Sequence, residues 1–377
     1  MPLPLWIPLA VTALFLLGWV LVVRHLHALE TLPEPVELAV WPRVTLCMPA
    51  RNEAREVGRA LDSWLRQDLP GFRIVVVDDG STDATPQLLE VRRAGHPERL
   101  AVLRCEVLPP GWLGKNHALH LASEHPWARE ADWILFVDAD VRAEPDLLRR
   151  VLGYLETHPT DVLALMPGLD TETLAERLFV PAGSALVVMA VSPTAVANPR
   201  RFSACGIGAF TLIRQGPYRR IGGRRGAPLE PVDDMALAFR AKRAGAQNRV
   251  AAGGPALRLR MYHGAGDILR GMRKNILGLR GALGLAPAML VVLPALTLSP
   301  LWLALGGWPE AGLLVWLMFP AMVGGVHQRL SAGPSDLVWA FWPLLGPWMA
   351  LGVLQAMGDR LRGRNVWRGR SVRLEPR

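Results

Sequence analysis

An α/β domain built on a mainly parallel sheet, carried between one N-terminal membrane helix and two to three C-terminal ones, is the fold class that this 377-residue sequence predicts. Three observations point there. Short apolar runs alternate with helix-period stretches from Val44 to Met166, the pattern of strands covered on both faces by helices. Four further stretches, one near the start and three after Leu283, are long and nearly uncharged. Hydrophobic residues make up 51% of the chain and the mean hydropathy is +0.21, too apolar for a disordered chain and high for a wholly soluble one.

The first element is Leu5 to Val23, uncharged and followed by Arg24 and His25. It has no basic start and no small-residue cleavage site, so it reads as an uncleaved anchor within residues 1–28, and Arg24 puts the chain after it in the cytoplasm. Thr31 to Glu37, with Pro33 and Pro35, is a linker. Strands are expected at Val44–Met48, Phe72–Val77, Leu100–Arg104, Trp133–Val137 and Val162–Met166, and helices at Glu53–Arg66, Asp83–Arg93, Asn116–Glu124 and Pro145–Glu156, inside a polar domain of residues 40–282. Phe179 to Ala197 is apolar but holds Pro181 and Pro193, and is expected to lie at the bilayer surface.

Membrane helices are expected over 283–358. Leu283–Leu305 reads as one span at about 1.5 Å per residue. Ala311–Val326 is the return limb of a hairpin turning at Gly306–Glu310, and Leu337–Met357 is interrupted by Pro343 and Pro347. Arg270, Arg273, Lys274 and Arg280 put the start of this bundle inside, and the tail 359–377 is rich in arginine. Three further crossings would leave that tail outside, against the positive-inside bias, so the proline-broken last segment is read as re-entrant or interfacial. The whole is a multi-pass protein of the cell (inner) membrane with its polar domain facing the cytoplasm.

Forty-two Lys+Arg against 33 Asp+Glu give a formal charge of +9. This charge is not gathered in a lysine-rich stripe with interleaved aromatics, so no nucleic-acid partner is expected. The lysines are Lys115, Lys242 and Lys274, all other cations being arginines that mostly flank apolar segments. Cys47, Cys105 and Cys205 are scattered with no C-x-x-C spacing, which excludes a zinc site and a disulfide framework.

In a parallel α/β sheet, ligands bind beyond the carboxyl ends of the strands. Pro49-Ala50-Arg51-Asn52-Glu53 follows the first apolar run, Asp78-Asp79-Gly80-Ser81-Thr82-Asp83 the second, and Asp138-Ala139-Asp140 the fourth. Asn52, Asp78 and Asp79 could hydrogen-bond a base or ribose. Asp138 and Asp140 are two apart, so an extended strand end could aim both the same way, as hard oxygen ligands for Mg²⁺ or Mn²⁺ bridging to a diphosphate. Alone, Asp-Gly-Ser-Thr-Asp is an ordinary turn and helix cap, and a lone D-x-D a solvated loop. Their occurrence at successive strand ends in this order favours the site.

Met48-Pro-Ala-Arg-Asn-Glu53, Val76-Val-Asp-Asp-Gly-Ser-Thr-Asp83, Gly111-Trp-Leu-Gly-Lys-Asn-His-Ala118 and Val137-Asp-Ala-Asp140 together resemble the nucleotide-sugar half of a family-2 glycosyltransferase with a Rossmann-like GT-A fold, over about Val44 to Asn275. Gly-Trp-x-Gly-Lys points to the membrane-anchored branch of hopanoid-associated, carotenoid (diaponeurosporenoate-type) and ceramide glycosyltransferases. The resemblance implies that Ala50, Asn52, Glu53, Asp78 and Asp79 contact the nucleoside, that Lys115 lies near the diphosphate or uracil, and that Asp138 and Asp140 bind Mg²⁺ or Mn²⁺, with Asp140 the direct ligand.

Asp233-Asp234-Met-Ala-Leu-Ala-Phe-Arg240 resembles the family's Glu-Asp segment, which makes Asp234 the base that deprotonates the acceptor and Asp233 a neighbour that raises its proton affinity. Capping of the helix Met235–Arg243 is a compatible second role. Arg270-Gly-Met-Arg273-Lys274 falls where relatives carry Q/R-x-x-R-W. Both arginines could bind pyrophosphate, whereas Lys274 in place of tryptophan argues against polymerisation. The same basic helix could instead contact anionic lipid. His263 is an acceptor-side possibility, more plainly a structural histidine. The glycines of Ser203–Gly223, among them Gly206 and Gly208, would permit close approach of sugar and backbone.

The expected activity is inverting transfer of one sugar from a nucleotide (UDP) sugar to a hydroxyl of a membrane lipid of carotenoid, hopanoid, sphingolipid or glycerolipid type. A processive polysaccharide synthase and an inactive scaffold of the same fold are the alternatives.

Overall fold

The computed structural model describes residues 2–278, 282–333, 336–362, 366–367 and 370–371, with side chains described except at 273–286, 360–361 and beyond 362. Helix α1 (Trp6–Ala28) leads into the α/β domain. Its first half runs β1 (Val44–Ala50), α2 (Val57–Leu65), β2 (Arg73–Asp78), α3 (Thr85–Gly95), β3 (Leu100–Arg104), α4 (Gly114–Glu124), α5 (Pro126–Arg129), β4 (Trp133–Phe136), β5 (Val141–Ala143), α6 (Leu147–Thr157) and β6 (Val162–Leu169). Next come α7 (Leu174–Ala190), α8 (Pro193–Ala197), β7 (Thr211–Arg214), α9 (Gln215–Arg220), α10 (Asp233–Arg243), β8 (Asn248–Leu259) and α11 (Ala265–Gly278). The apolar end holds α12 (Ala282–Thr297), α13 (Ser299–Leu305), α14 (Pro309–Ser331), a 3₁₀ segment Leu337–Leu344 and α15 (Leu345–Leu361).

The sheet has eight strands in the order β3-β2-β1-β4-β7-β6-β8-β5. β1 to β4 are parallel as expected, but the sheet as a whole is mixed. β7 is antiparallel to β4 and β6, and β5 to β8. The apolar runs are nearly continuous because both faces of the central strands are buried. Leu46 and Met48 of β1 join Trp64, Phe72 and Ile74 in one core, whereas Cys47 joins Val75, Val77, Ile134 and Phe136 in the other. None of the three cysteines forms a disulfide, and all are buried. The proline linker is tied down: Thr31 bridges Ala252 of β8, and the Tyr154 hydroxyl donates to Glu30.

Among the described residues three helical stretches are long and apolar enough to cross a membrane: Trp6–Ala28, Pro309–Ser331 and Leu337–Asp359. Leu283–Leu305, expected as one span, is not straight. It breaks at Leu298, with a bend of 63° between Pro287–Thr297 and Ser299–Leu305. Pro294 and Pro300 flank the break and remove backbone donors on both sides of it.

Contacts fix which ends of the helices meet. The Leu3 amide donates to Gly306 O at 2.8 Å and Trp308 Nε1 to Leu3 O at 2.9 Å, so the start of α1 lies beside the α13–α14 turn. At the other end Arg329 donates to Leu29 O (2.7 Å), and Ser331 Oγ accepts from the Leu169 amide of β6 (3.1 Å). α1 and α14 therefore run side by side towards the α/β domain.

The last stretch starts and finishes beside that domain. Asp336 is bonded by Arg177 (2.8 Å), Trp339 Nε1 donates to Arg177 O (2.9 Å), and Trp342 reaches Phe15, Trp316 and Phe319 deeper among the helices. Gly346 lies against Leu293 and Thr297 of α12, and by Gly352 the chain is back on Leu269 and Met272 of α11. Pro343 lies inside the 3₁₀ segment, one residue before it gives way to α15, and Pro347 sits in the first turn of α15, where its missing amide costs nothing.

α7 packs on the apolar helices. Ala182 is buried with Leu303, Val315, Trp342 and Leu345, and His25 Nδ1 is 2.9 Å from Val188 O. Its mixture of small and apolar residues packs on helices in place of exposing one polar face.

Candidate active site

The loops after β1 and β2 are laced together. The Asp79 amide donates to Ala50 O (2.8 Å), the Asn52 amide to Ser81 Oγ (2.9 Å), the Thr82 amide to Asn52 Oδ1 (2.8 Å) and the Glu53 amide to Thr85 Oγ1 (2.8 Å). Asn52 takes a left-handed φ of 52°, a conformation asparagine tolerates better than most residues. Asp78 is buried, its Oδ1 accepts from the Ser81 amide (3.1 Å), and Arg104 stands 3.9 Å from its other oxygen. Arg51 donates to Asp79 O and lies 3.8 Å from its carboxylate. The structure thus brings Ala50, Asn52, Glu53, Asp78 and Asp79 into one loop pair. Part of the polar capacity of Asn52 and Asp78 is spent on holding that pair in shape.

Asp138 and Asp140 are not on an extended strand end. They lie in a turn between β4 and β5, in which the Val141 amide donates to Asp138 O at 3.3 Å, because the chain must reverse direction to form β5. Lys115, in the first turn of α4, sits 2.8 Å from Asp138 Oδ1 and 3.2 Å from Asp233 Oδ1. Asp233 and Asp234 open α10, where the helix dipole favours negative charge. Asp138, Lys115, Asp233 and Asp234, far apart in sequence, line one small crevice with Ile207, Gly208 and Arg224.

Two members of the site receive no role from the sequence, and one of them, Arg224, lies in no motif. It is buried, donates to Asp233 Oδ2 at 2.7 Å and to Asp233 O at 3.2 Å, and lies 4.1 Å over the Phe136 ring. Asn116 is the second: its buried amide donates to the carbonyls of Pro228 (3.1 Å) and Glu230 (3.0 Å), pinning the segment that leads to Asp233 onto α4. The Gly-Trp-x-Gly-Lys-Asn motif therefore joins the two halves of the site. Trp112 of the same motif stacks on His120 at 5.0 Å.

These neighbours set the charges. Burial opposes the Lys115 ammonium, but the carboxylates of Asp138, Asp233 and Asp234 outweigh it and hold the group above the usual lysine range. Burial likewise opposes the Asp233 carboxylate, and Lys115 and Arg224 more than offset it, so Asp233 stays below the usual aspartate range. Asp234 lacks such cover. Burial, then the charge of Asp233, raise it to about 6.

Among the described residues no three His, Cys, Asp or Glu side chains converge to hold a metal; Asp138 lines the crevice, whereas Asp140 is not among the crevice residues. Two carboxylates suit Mg²⁺ or Mn²⁺ that completes its shell with phosphate and water. Gly208 keeps the space beside Asp138 open: a Cβ there would stand 2.5 Å from Asp138 Oδ2 and 3.4 Å from Lys115 Nζ. At Gly206 a Cβ would run into the Asp234 carbonyl. Gly208→Ala is expected to lower kcat/KM for the donor by about 10²-fold through misplacement of Asp138 and Lys115, with the melting temperature unchanged; steady-state kinetics and a thermal melt check both.

Arg270 is exposed on α11, 3.4 Å from Asp267, and is not among the crevice residues. The side chain of Arg273, like those of Lys274 and Arg280, lies outside the described residues. The His263 amide donates to Asp267 (3.1 Å), its Nε2 faces Glu56 at 3.6 Å, and its buried Nδ1 has no hydrogen-bond partner among the described residues.

Residues 45–173 match the family described as Glycosyl transferase family 2, a stretch that includes the Ala50–Glu53, Asp78–Asp79, Lys115 and Asp138–Asp140 positions. The chain is 32% identical over 136 residues to a beta-monoglucosyldiacylglycerol synthase of Synechocystis sp., covering 36% of this chain and 27% of that protein. It is 25% identical over 236 residues to a 4,4'-diaponeurosporenoate glycosyltransferase of Staphylococcus aureus, covering 62% of this chain and 60% of that one. It therefore spans less than two thirds of the length of these curated relatives. Among solved structures, a mannosyltransferase from Pyrobaculum calidifontis, in complex with GDP-Man and Mn²⁺, superposes with a TM-score of 0.55 at 19% identity over 94% of this chain and 98% of that one. With the order of motifs, the mixed Rossmann-like sheet and these matches in agreement, residues 45–173 form a glycosyl transferase family 2 domain, within a fold of GT-A type.

Proposed function

We propose that the protein is an inverting hexosyltransferase that moves a single sugar from a UDP-linked donor to a hydroxyl of a membrane lipid. The observation that carries this reading is the convergence of Lys115, Asp138, Asp233 and Asp234 in one crevice, with one carboxylate neutralised by cations and the other raised towards neutrality. Asp234 accepts the proton of the acceptor hydroxyl as its oxygen attacks the anomeric carbon, and the nucleoside diphosphate leaves with the bonding pair. The Lys115 ammonium, held at the mouth of this crevice, is a point charge available to the leaving phosphate. Mg²⁺ or Mn²⁺, held by Asp138 and Asp140, would supply further positive charge against that leaving group. The loop pair of Ala50, Asn52, Glu53, Asp78 and Asp79 would hold the nucleoside.

A lipid acceptor is supported by what surrounds Asp234. Leu229 and Val232 stand exposed on the segment leading to it, and exposed Phe202 packs 5.8 Å from Phe239 of the same helix. The relatives above are named for a diacylglycerol and for diaponeurosporenoate.

The same reading gives a multi-pass topology in the cell membrane with the α/β domain cytoplasmic. α1 crosses towards the domain, the bent α12–α13 pair crosses away from it and α14 returns. The last stretch dips in and is back on the domain side by Gly352, where it lies on Leu269 and Met272 of α11.

The test is purified full-length protein with Mn²⁺ or Mg²⁺, a panel of nucleotide sugars and lipid extract, read by donor hydrolysis and by mass of the lipid product. A one-sugar adduct is expected, and failure to bind or hydrolyse any nucleotide sugar would overturn the reading. Because Asp234 acts as the carboxylate, kcat/KM is expected to be flat above pH 7 and to fall about tenfold per unit below a midpoint near 6, whereas a flat profile to pH 5 would exclude it as the base.

A further inference from the structure

A cavity of about 560 Å³ lies where the α/β domain meets the end of α14, lined by Arg55, Arg59, Arg142, Arg258 and Arg260 against Glu56, Asp170 and Glu172. It shares no lining residue with the crevice of Lys115 and Asp234. Its cations outnumber its anions, and their pairing leaves the excess in place. Arg142 of β5 is directly opposite Arg258 of β8, an unfavourable like-charge pair, and both lean on the single carboxylate of Asp170. The Arg142 Nε is buried and has no hydrogen-bond acceptor. Arg260 is matched by Glu172 and the fully buried Glu176. Arg55 and Arg59 are exposed at the start of α2 and make no ion pair among the described residues.

We propose that this cavity is a second anion site that takes a phosphate group, separate from the donor crevice. Arginine forks with spare N–H donors match the oxygens of a phosphate, and the preformed contacts to Asp170 lower the entropy cost of presenting them. Its volume is that of a small-molecule pocket, with room for an ester beyond the phosphate. Arg258 also bonds Ser331 O (3.2 Å) at the last turn of α14, so the cavity sits at the depth where phospholipid head groups lie as well as within reach of free phosphate. The proposal does not depend on the transferase reading.

Isothermal titration of the full-length protein in neutral detergent tests it, with inorganic phosphate and dihexanoyl phosphatidate as probes and dihexanoylglycerol as the phosphate-free control. Saturable binding of a phosphate probe is expected. It should weaken at least tenfold in Arg55→Glu/Arg59→Glu, stay within threefold in Arg55→Lys/Arg59→Lys, and survive saturating UDP. Phosphatidate binding much tighter than phosphate would mark a lipid head group as the source, and equal affinities would mark free phosphate. The proposal is overturned if neither probe saturates, if the charge reversals change nothing, or if UDP displaces the probe. UDP binding measured in the same titrations reports on the donor crevice, so a failure there is distinguishable from a failure here.

Discussion

Asp234→Asn is expected to lower kcat by about 10²–10⁴-fold, the range for loss of a general base, while the donor KM stays within about threefold. The substitution is nearly isosteric, and the amide oxygen can keep the bond that Asp234 Oδ1 accepts from the Met235 amide (2.8 Å). The start of α10 should therefore stay in place. What disappears is the acceptor for the proton. The fold, by contrast, should lose nothing, because ionisation of Asp234 burdens it. Its folded-state pKa lies above the ordinary aspartate value, so the native state favours the protonated form and loses stability as pH rises through that interval. Removing the charge should then leave the melting temperature at pH 7.5 equal or higher, with the difference closing as pH falls below the ordinary aspartate range. Lost turnover together with unimpaired melting separates chemistry from architecture. Full activity of the Asn variant with an identified acceptor would end the assignment.

The donor half is legible because each motif sits where an apolar run ends, and strand ends of a parallel sheet share one edge. Ala50, Asp78 and Asp138 can be aligned from the sequence for that reason alone. The acceptor half is less so. β8 hides two glycines and a proline, Gly253-Gly254-Pro255, in its interior, and this breaks the alternation that identifies a strand; in the fold they sit at the register shift where β6 and β8 part. The antiparallel β7 and β5 leave no local trace, since pairing direction is decided by where the chain re-enters the sheet. Asp138–Asp140 is a turn and not an extended strand end, and two-residue spacing fits either geometry. Composition also locates the C-terminal apolar segments without their shape: Leu283–Leu305 is uncharged whether straight or bent. The return of α15 to α11 depends on Gly346 and Gly352 letting helices approach, a tertiary fact.

Arg224 is illegible for a different reason, being one arginine of a Gly-Arg-Arg-Gly run in a chain where nearly every cation is arginine. Burial and the short bond to Asp233 set it apart. Arg224→Met keeps the bulk over the Phe136 ring but strands a buried carboxylate with Lys115 as its remaining cation. Breaking a buried pair by removing one partner costs about 3–5 kcal/mol, which in a domain of this size lowers the melting temperature by roughly 10 °C. The cost comes from the orphaned charge more than from the lost attraction, so Arg224→Met/Asp233→Asn should recover most of it, a non-additivity that a double-mutant cycle reads directly. The same imbalance reaches the chemistry. With Asp233 less neutralised, its field on Asp234 grows and the acid limb of the pH profile should move above 6 in Arg224→Met. Single-variant melting within about 1 kcal/mol of the parent, or strict additivity in the cycle, would mean that Arg224 is a surface-like cation and that Lys115 alone sustains the Asp233 charge.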